Sequence, residues 1–73
     1  MMVRSREDII RRLNTAISLN PQWTQKEIAD RSGLEDYTLN KILKGTRTLT
    51  AFELVRISAA LEIPVEEFLY EDD

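Results

Sequence analysis

The sequence predicts an all-α domain of five short helices. Three observations carry that prediction. Two capping boxes each open an apolar run, two glycines stand just beyond such runs, and apolar residues recur three and four positions apart rather than alternately. No stretch reads as a strand, and no repeat or low-complexity segment breaks the pattern.

The first helix follows Ser5, a good N-cap, with Glu7 and Asp8 at its positive end. Ile9, Ile10, Leu13, Ala16 and Ile17 share one face, and Asn20-Pro21 ends it because proline disfavours helical backbone in the residue before it. The second helix has the clearest start. Thr24 and Glu27 form a capping box, Trp23 and Ile28 a hydrophobic staple, and Gly33 fits the left-handed position past Ser32. The third helix carries Leu39, Ile42 and Leu43 on one side and Tyr37, Lys41 and Lys44 on the other, with Asn40 beside them. Gly45 ends it as Gly33 ends the second. Its start is poor, because Glu35 stands where a Ser or Thr cap is expected. The fourth helix repeats the capping box with Thr50 and Glu53 and the staple with Leu49 and Leu54, and then breaks at Ile63-Pro64. A short fifth helix runs from Val65 to Leu69. The expected core is Leu13, Ile17, Ile28, Ala29, Leu34, Leu39, Ile42, Leu54, Ile57, Leu61 and Phe68.

Seventy-three residues allow one small domain, here 1–73, with its core in about 5–70 and an acidic tail of Glu71, Asp72 and Asp73. A chain this short buries roughly 60% of its unfolded surface, which leaves little room for buried polar machinery. It has no Cys and no His, so disulfides, thiolate or imidazole metal sites and triad-type nucleophiles are excluded. The expectation is no enzyme, no cofactor and no metal. Apolar runs reach only three residues, so no membrane span is expected, and the charges at Arg4, Arg6, Glu7 and Asp8 interrupt any signal-peptide core. The cytoplasm is the default compartment. The net charge of −3 is unevenly spread. Residues 1–48 carry nine Lys/Arg against six acids, whereas residues 49–73 carry Arg56 alone against seven. An acidic chain of this kind can still present a basic face.

The run from Trp23 to Gly45 (WTQKEIADRSGLEDYTLNKILKG) resembles the lambda-repressor-like, or XRE-type (Cro-like), helix-turn-helix. In that family a Ser/Thr-Gln opens the second helix, Leu/Ile-Ala follows, a Gly marks the turn, and a second Gly ends the recognition helix. Thr24, Gln25, Ile28, Ala29, Gly33, Leu39, Ile42 and Gly45 match without a gap, and the register extends over about residues 9–70. The resemblance implies a compact five-helix fold with the helix-turn-helix in its second and third helices. It also implies a sequence-specific, repressor-like transcriptional regulator of bacterial or phage type. The major groove, about 12 Å wide, admits one α-helix. By the resemblance, Glu35, Asp36, Tyr37, Thr38, Asn40 and Lys41 are the base-reading candidates. Thr24, Gln25, Lys44, Thr46 and Arg47 are the phosphate candidates. The implied partner is double-stranded DNA with a palindromic operator, bound by a homodimer.

Four departures qualify the match. Glu35 and Asp36 stand where Ser, Gln or Arg is common. They either accept from cytosine N4 or serve the helix start. Tyr37 either touches DNA or lies on the surface. An Arg–Glu pair that many members place between the first and third helices is replaced by Ser18 and Leu43, so no charge is stranded. Leu49 stands where Pro is frequent. Arg4, Arg6, Arg11 and Arg12 read as the solvated face of the first helix or as phosphate contacts. Trp23 reads as a staple rather than a stacking platform. The net acidity and Glu35-Asp36 keep a second reading open: a protein-interaction module of the same fold, such as an antitoxin or adaptor.

Overall fold

The computed structural model describes residues 2–71, so Met1 and the Asp72-Asp73 part of the acidic tail lie outside the described residues. Among the described residues five helices follow one another: α1 (Arg6–Ser18), α2 (Gln25–Ser32), α3 (Asp36–Leu43), α4 (Ala51–Leu61) and α5 (Glu66–Leu69). α4 packs chiefly on α2, while α1 lies against α3 and α5. Among the described residues no strand forms. A single antiparallel bridge joins Val3 to Tyr70, with Arg4 N–H donating to the Leu69 carbonyl at 2.7 Å and Glu71 N–H to the Met2 carbonyl at 2.9 Å.

The helix starts follow the side-chain chemistry. Ser5 Oγ accepts from the Asp8 N–H at 3.2 Å. Thr24 and Thr50 each complete a reciprocal capping box with Glu27 and Glu53. Each box satisfies two backbone donors that the helix leaves unpaired, and losing such a cap costs about 0.5–2 kcal/mol. α3 differs: Glu35 takes the extended N-cap backbone but makes no side-chain cap bond.

Three helices end in the same motif. Leu34 N–H reaches the Ala29 carbonyl, Thr46 N–H the Lys41 carbonyl, and Ile63 N–H the Ser58 carbonyl, each across a left-handed residue. Two of those residues are Gly33 and Gly45, at φ +71° and +77°. The third is Glu62, at φ +60°, so α4 stops just before the expected break at Ile63-Pro64 and does so at a side chain that the left-handed region disfavours.

Nine of the eleven expected core residues are buried, with Leu13, Ile28, Leu39, Ile42 and Ile57 fully enclosed. Ile17 and Leu34 are half-buried and pack against the cluster, as do Trp23 and Leu49. Burying each large aliphatic side chain contributes about 1.5–3 kcal/mol. Leu39 and Ile42 fix which face of α3 turns inward, and so which face remains for a partner.

One expectation is corrected. Arg4 does not lie on a solvated face of the first helix. It precedes α1, is only 6% exposed, and holds Asp8 at 2.9 Å. The pairing of residues 2–4 with 69–71 turns the chain under the domain, which encloses the arginine that a solvated helix face would have exposed.

Candidate nucleic-acid interface

Glu35, Asp36 and Tyr37 are exposed at the start of α3, Tyr37 to 67%. One turn on, the Lys41 ammonium sits over the Tyr37 ring, 4.7 Å from its centroid. This is the i, i+4 neighbour relation that α-helical geometry provides, and the ring face attracts the cation. Tyr37 and Lys41 therefore form one unit. Thr38, Asn40 and Lys41 are half-buried. Gln25 and Asp36, the first residues of α2 and α3, meet at 3.5 Å, with Gln25 Nε2 donating to the carboxylate. That contact is long, and it ties the two helix starts together only weakly.

The phosphate candidates fall into three kinds. Thr24 and Gln25 stand at the start of α2, with the Thr24 hydroxyl already accepting within its capping box. Lys44 caps α3 and is exposed, whereas the Thr46 hydroxyl donates to the Lys41 carbonyl at 3.2 Å and so serves the helix end. Arg47 is ion-paired: its Nη1 donates to Glu53 Oε2 at 2.7 Å, with the arginine side chain 42% and the glutamate side chain 12% exposed.

Four carboxylate or cation arrangements shape the surroundings. The side-chain bond from Arg4 holds Asp8 below its ordinary value, with Arg11 adding to the effect from 2.7 Å. The Thr24 backbone N–H holds Glu27 down. Burial pushes Glu53 up, but hydrogen bonds from the Thr50 backbone and Arg47 outweigh it and lower the carboxyl overall. Arg31 lies 4.3 Å over the Trp23 ring, donates from Nε to the Ala60 carbonyl at 3.1 Å, and meets Glu62 at 3.4 Å. It thereby pins α2 to the negative end of α4.

The face left by the missing Arg–Glu pair is filled in another way. Asn14 Nδ2 donates to the Leu43 carbonyl at 3.0 Å, at the end of α3, and also to Ile10 of its own helix. Leu43 packs against the core, and Ser18 bonds back to Asn14. The roles of Asn14, Arg31 and Glu62 emerge only from the fold. Only Arg31 had a local signal, eight residues and about two turns beyond Trp23.

Among the described residues no helix is long and apolar enough to cross a membrane, and no group of three His, Cys, Asp or Glu side chains could hold a metal ion. No curated protein and no solved structure matches the chain. The family described as Helix-turn-helix matches residues 22–68, from just before the first capping box to the single turn of α5. With five helices, the Gly33 turn between α2 and α3 and a match over more than half its length, the chain belongs to the XRE-type, lambda-repressor-like helix-turn-helix family of DNA-binding regulatory domains.

Proposed function

We propose that the chain is a sequence-specific DNA-binding regulator of the repressor type that sets α3 into the major groove of a palindromic operator, two copies to one site. Glu35, Asp36, Tyr37, Thr38, Asn40 and Lys41 meet base edges. Thr24, Gln25, Lys44, Thr46 and Arg47 hold the flanking phosphates. The observation that carries this reading is the Tyr37–Lys41 pair, displayed on a helix whose opposite face is locked by Leu39 and Ile42. A lysine beside a base edge donates to guanine O6 and N7, and each good base contact is worth about 1–3 kcal/mol of discrimination.

The test is selection of bound duplexes from a diverse pool at stated salt. A recovered motif with two half-sites about one helical turn apart supports the reading, and a single half-site removes the two-copy part of it. Lys41→Ala relaxes preference at one base pair, whereas Lys44→Ala weakens all duplexes alike and lowers the salt slope by about one unit.

The exposed, uncapping Glu35 and the neighbouring Asp36 favour the second reading, a protein-interaction module of the antitoxin or adaptor kind. Both carboxylates repel phosphates, and neither is consumed by an N-cap bond. Absence of measurable binding to the pool at low salt selects that reading.

A further inference from the structure

Arg6 opens α1, forty-one residues before Arg47, yet its Nη2 donates to the Arg47 carbonyl at 3.2 Å. The contact places the start of α1 beside the loop that leaves α3. Farther along the same helix, Asn14 holds the Leu43 carbonyl. α1 therefore runs along the exit of α3, with Arg6 at the loop and Asn14 at the helix end.

The four arginines near the amino end divide accordingly. Arg4 is enclosed against Asp8. Arg11 pairs with Asp8 and, together with Arg12, lines a groove bounded by Ile63, Glu67 and Phe68. Arg6 reaches the segment that carries Lys44 and Arg47. It is exposed, and a guanidinium has five N–H donors, of which the Arg47 carbonyl takes one. Arg47 in turn directs one N–H to Glu53 and keeps a fork suited to a second anion. The Arg6 guanidinium thus rests on the backbone of the residue whose own guanidinium is partly offset by Glu53.

Resting on the DNA-binding reading, we propose that Arg6 is a phosphate-contacting residue of the interface, seating with Arg47 a phosphodiester of the strand that passes the exit of α3. The ligand is the backbone anion rather than a base, because both arginines lie beyond the groove-facing Tyr37–Lys41 pair and are fixed to the loop backbone and to the capping box of α4. The contact extends the footprint from α2 and α3 onto α1.

The test is the salt dependence of binding to the selected duplex and to a random-sequence duplex, for the parent, Arg6→Gln and Arg6→Lys. The expected result for Arg6→Gln is a salt slope smaller by about one unit on both duplexes. The affinity lost between about 50 and 200 mM salt is then about fourfold less than the parent loses. Arg6→Lys keeps the parent slope. A methylphosphonate at the contacted phosphate weakens the parent more than it weakens Arg6→Gln, in which Arg47 alone still meets that phosphate. If Arg6 only braces the loop, Arg6→Gln weakens binding at an unchanged slope and every methylphosphonate costs it as much as it costs the parent, which overturns the proposal. The methylphosphonate scan on the parent protein keeps the test decisive should Arg6→Gln melt early. A parent that binds neither duplex at low salt overturns the DNA-binding reading itself, an outcome distinct from binding that ignores Arg6.

Discussion

α2 and α4 contrast with α3. The first two begin in complete capping boxes, begin behind a stapling Trp or Leu, and bury their apolar faces against each other. α3 has equally buried inner residues in Leu39 and Ile42, but an acidic start with no side-chain cap and an outer face of exposed Tyr37 and half-buried Lys41. At their starts and along their buried faces the scaffold helices satisfy the local rules together. α3 satisfies them on one side only, and the place where it breaks them is the place proposed to meet a partner. Local inconsistency of this kind tends to collect at functional positions.

The comparison is sharpest where its halves should agree. Ile28→Ala in α2 and Leu39→Ala in α3 are each expected to cost about 2–5 kcal/mol by urea unfolding, since both side chains are fully enclosed. A much smaller loss for Leu39 would mean that α3 is not anchored as the scaffold is. At the helix starts the halves should part. Thr24→Ala and Thr50→Ala cost about 0.5–2 kcal/mol, while Glu35→Ala leaves the denaturant midpoint nearly unchanged because no cap bond is lost. Equal losses at all three positions would erase the contrast.

Supplying the missing cap is a converse test. Glu35→Ser is expected to stabilise the domain by about 0.5–1 kcal/mol and to change DNA preference at a single position if Glu35 reads cytosine. If Glu35 reads nothing, the same variant binds all duplexes more tightly, because a carboxylate that repels phosphates is gone. A smaller gain, about 0.5 kcal/mol, is expected in thermal unfolding of Glu62→Gly. The relief of left-handed strain is partly cancelled by greater freedom of the unfolded chain and by loss of the Arg31 contact.

The smallest effect is on pH. Asp8, Glu27 and Glu53 all titrate below their ordinary values of 3.8, 4.5 and 4.5 in the folded state. Their contribution is therefore fully present above those values and is lost as pH falls through the lower folded ones. Unfolding midpoints should be flat above about pH 5 and decline below about pH 4.5. Glu27→Gln and Glu53→Gln should shallow that decline, and a decline that begins near neutrality would contradict it.

Much of the fold could be read from the sequence because its determinants are local. A capping box spans four residues, a glycine stop follows its own helix, and the buried face repeats every three or four positions. Thr24, Gly33 and Ile28 announce themselves within a few neighbours. Arg4 does not, because its burial depends on residues 69–71 returning to pair with residues 2–4. Glu62 does not either. Its left-handed backbone is enforced by the Ile63 N–H reaching Ser58, and a glutamate gives no sign of it. At the candidate interface, the outward face of α3 was legible from helical spacing. The pairing of Arg47 with Glu53 and its approach by Arg6 were not, since the latter spans forty-one residues.

The bridge between Val3 and Tyr70 has a topological consequence. With the Arg4 and Glu71 amides each bonded across it, the two ends of the described chain lie one backbone hydrogen bond apart. The fold is already nearly a closed ring, which predicts that its helices pack in the same way whatever their order along the chain. A circular permutant that joins Glu71 to Met2 through a few Gly and Ser residues, and opens the chain at the exposed Pro21-Gln22 turn, should fold to the same helical content with the Tyr37–Lys41 face intact. An unfolded permutant would show instead that α1 must lead the chain, as a nucleus on which the other helices assemble.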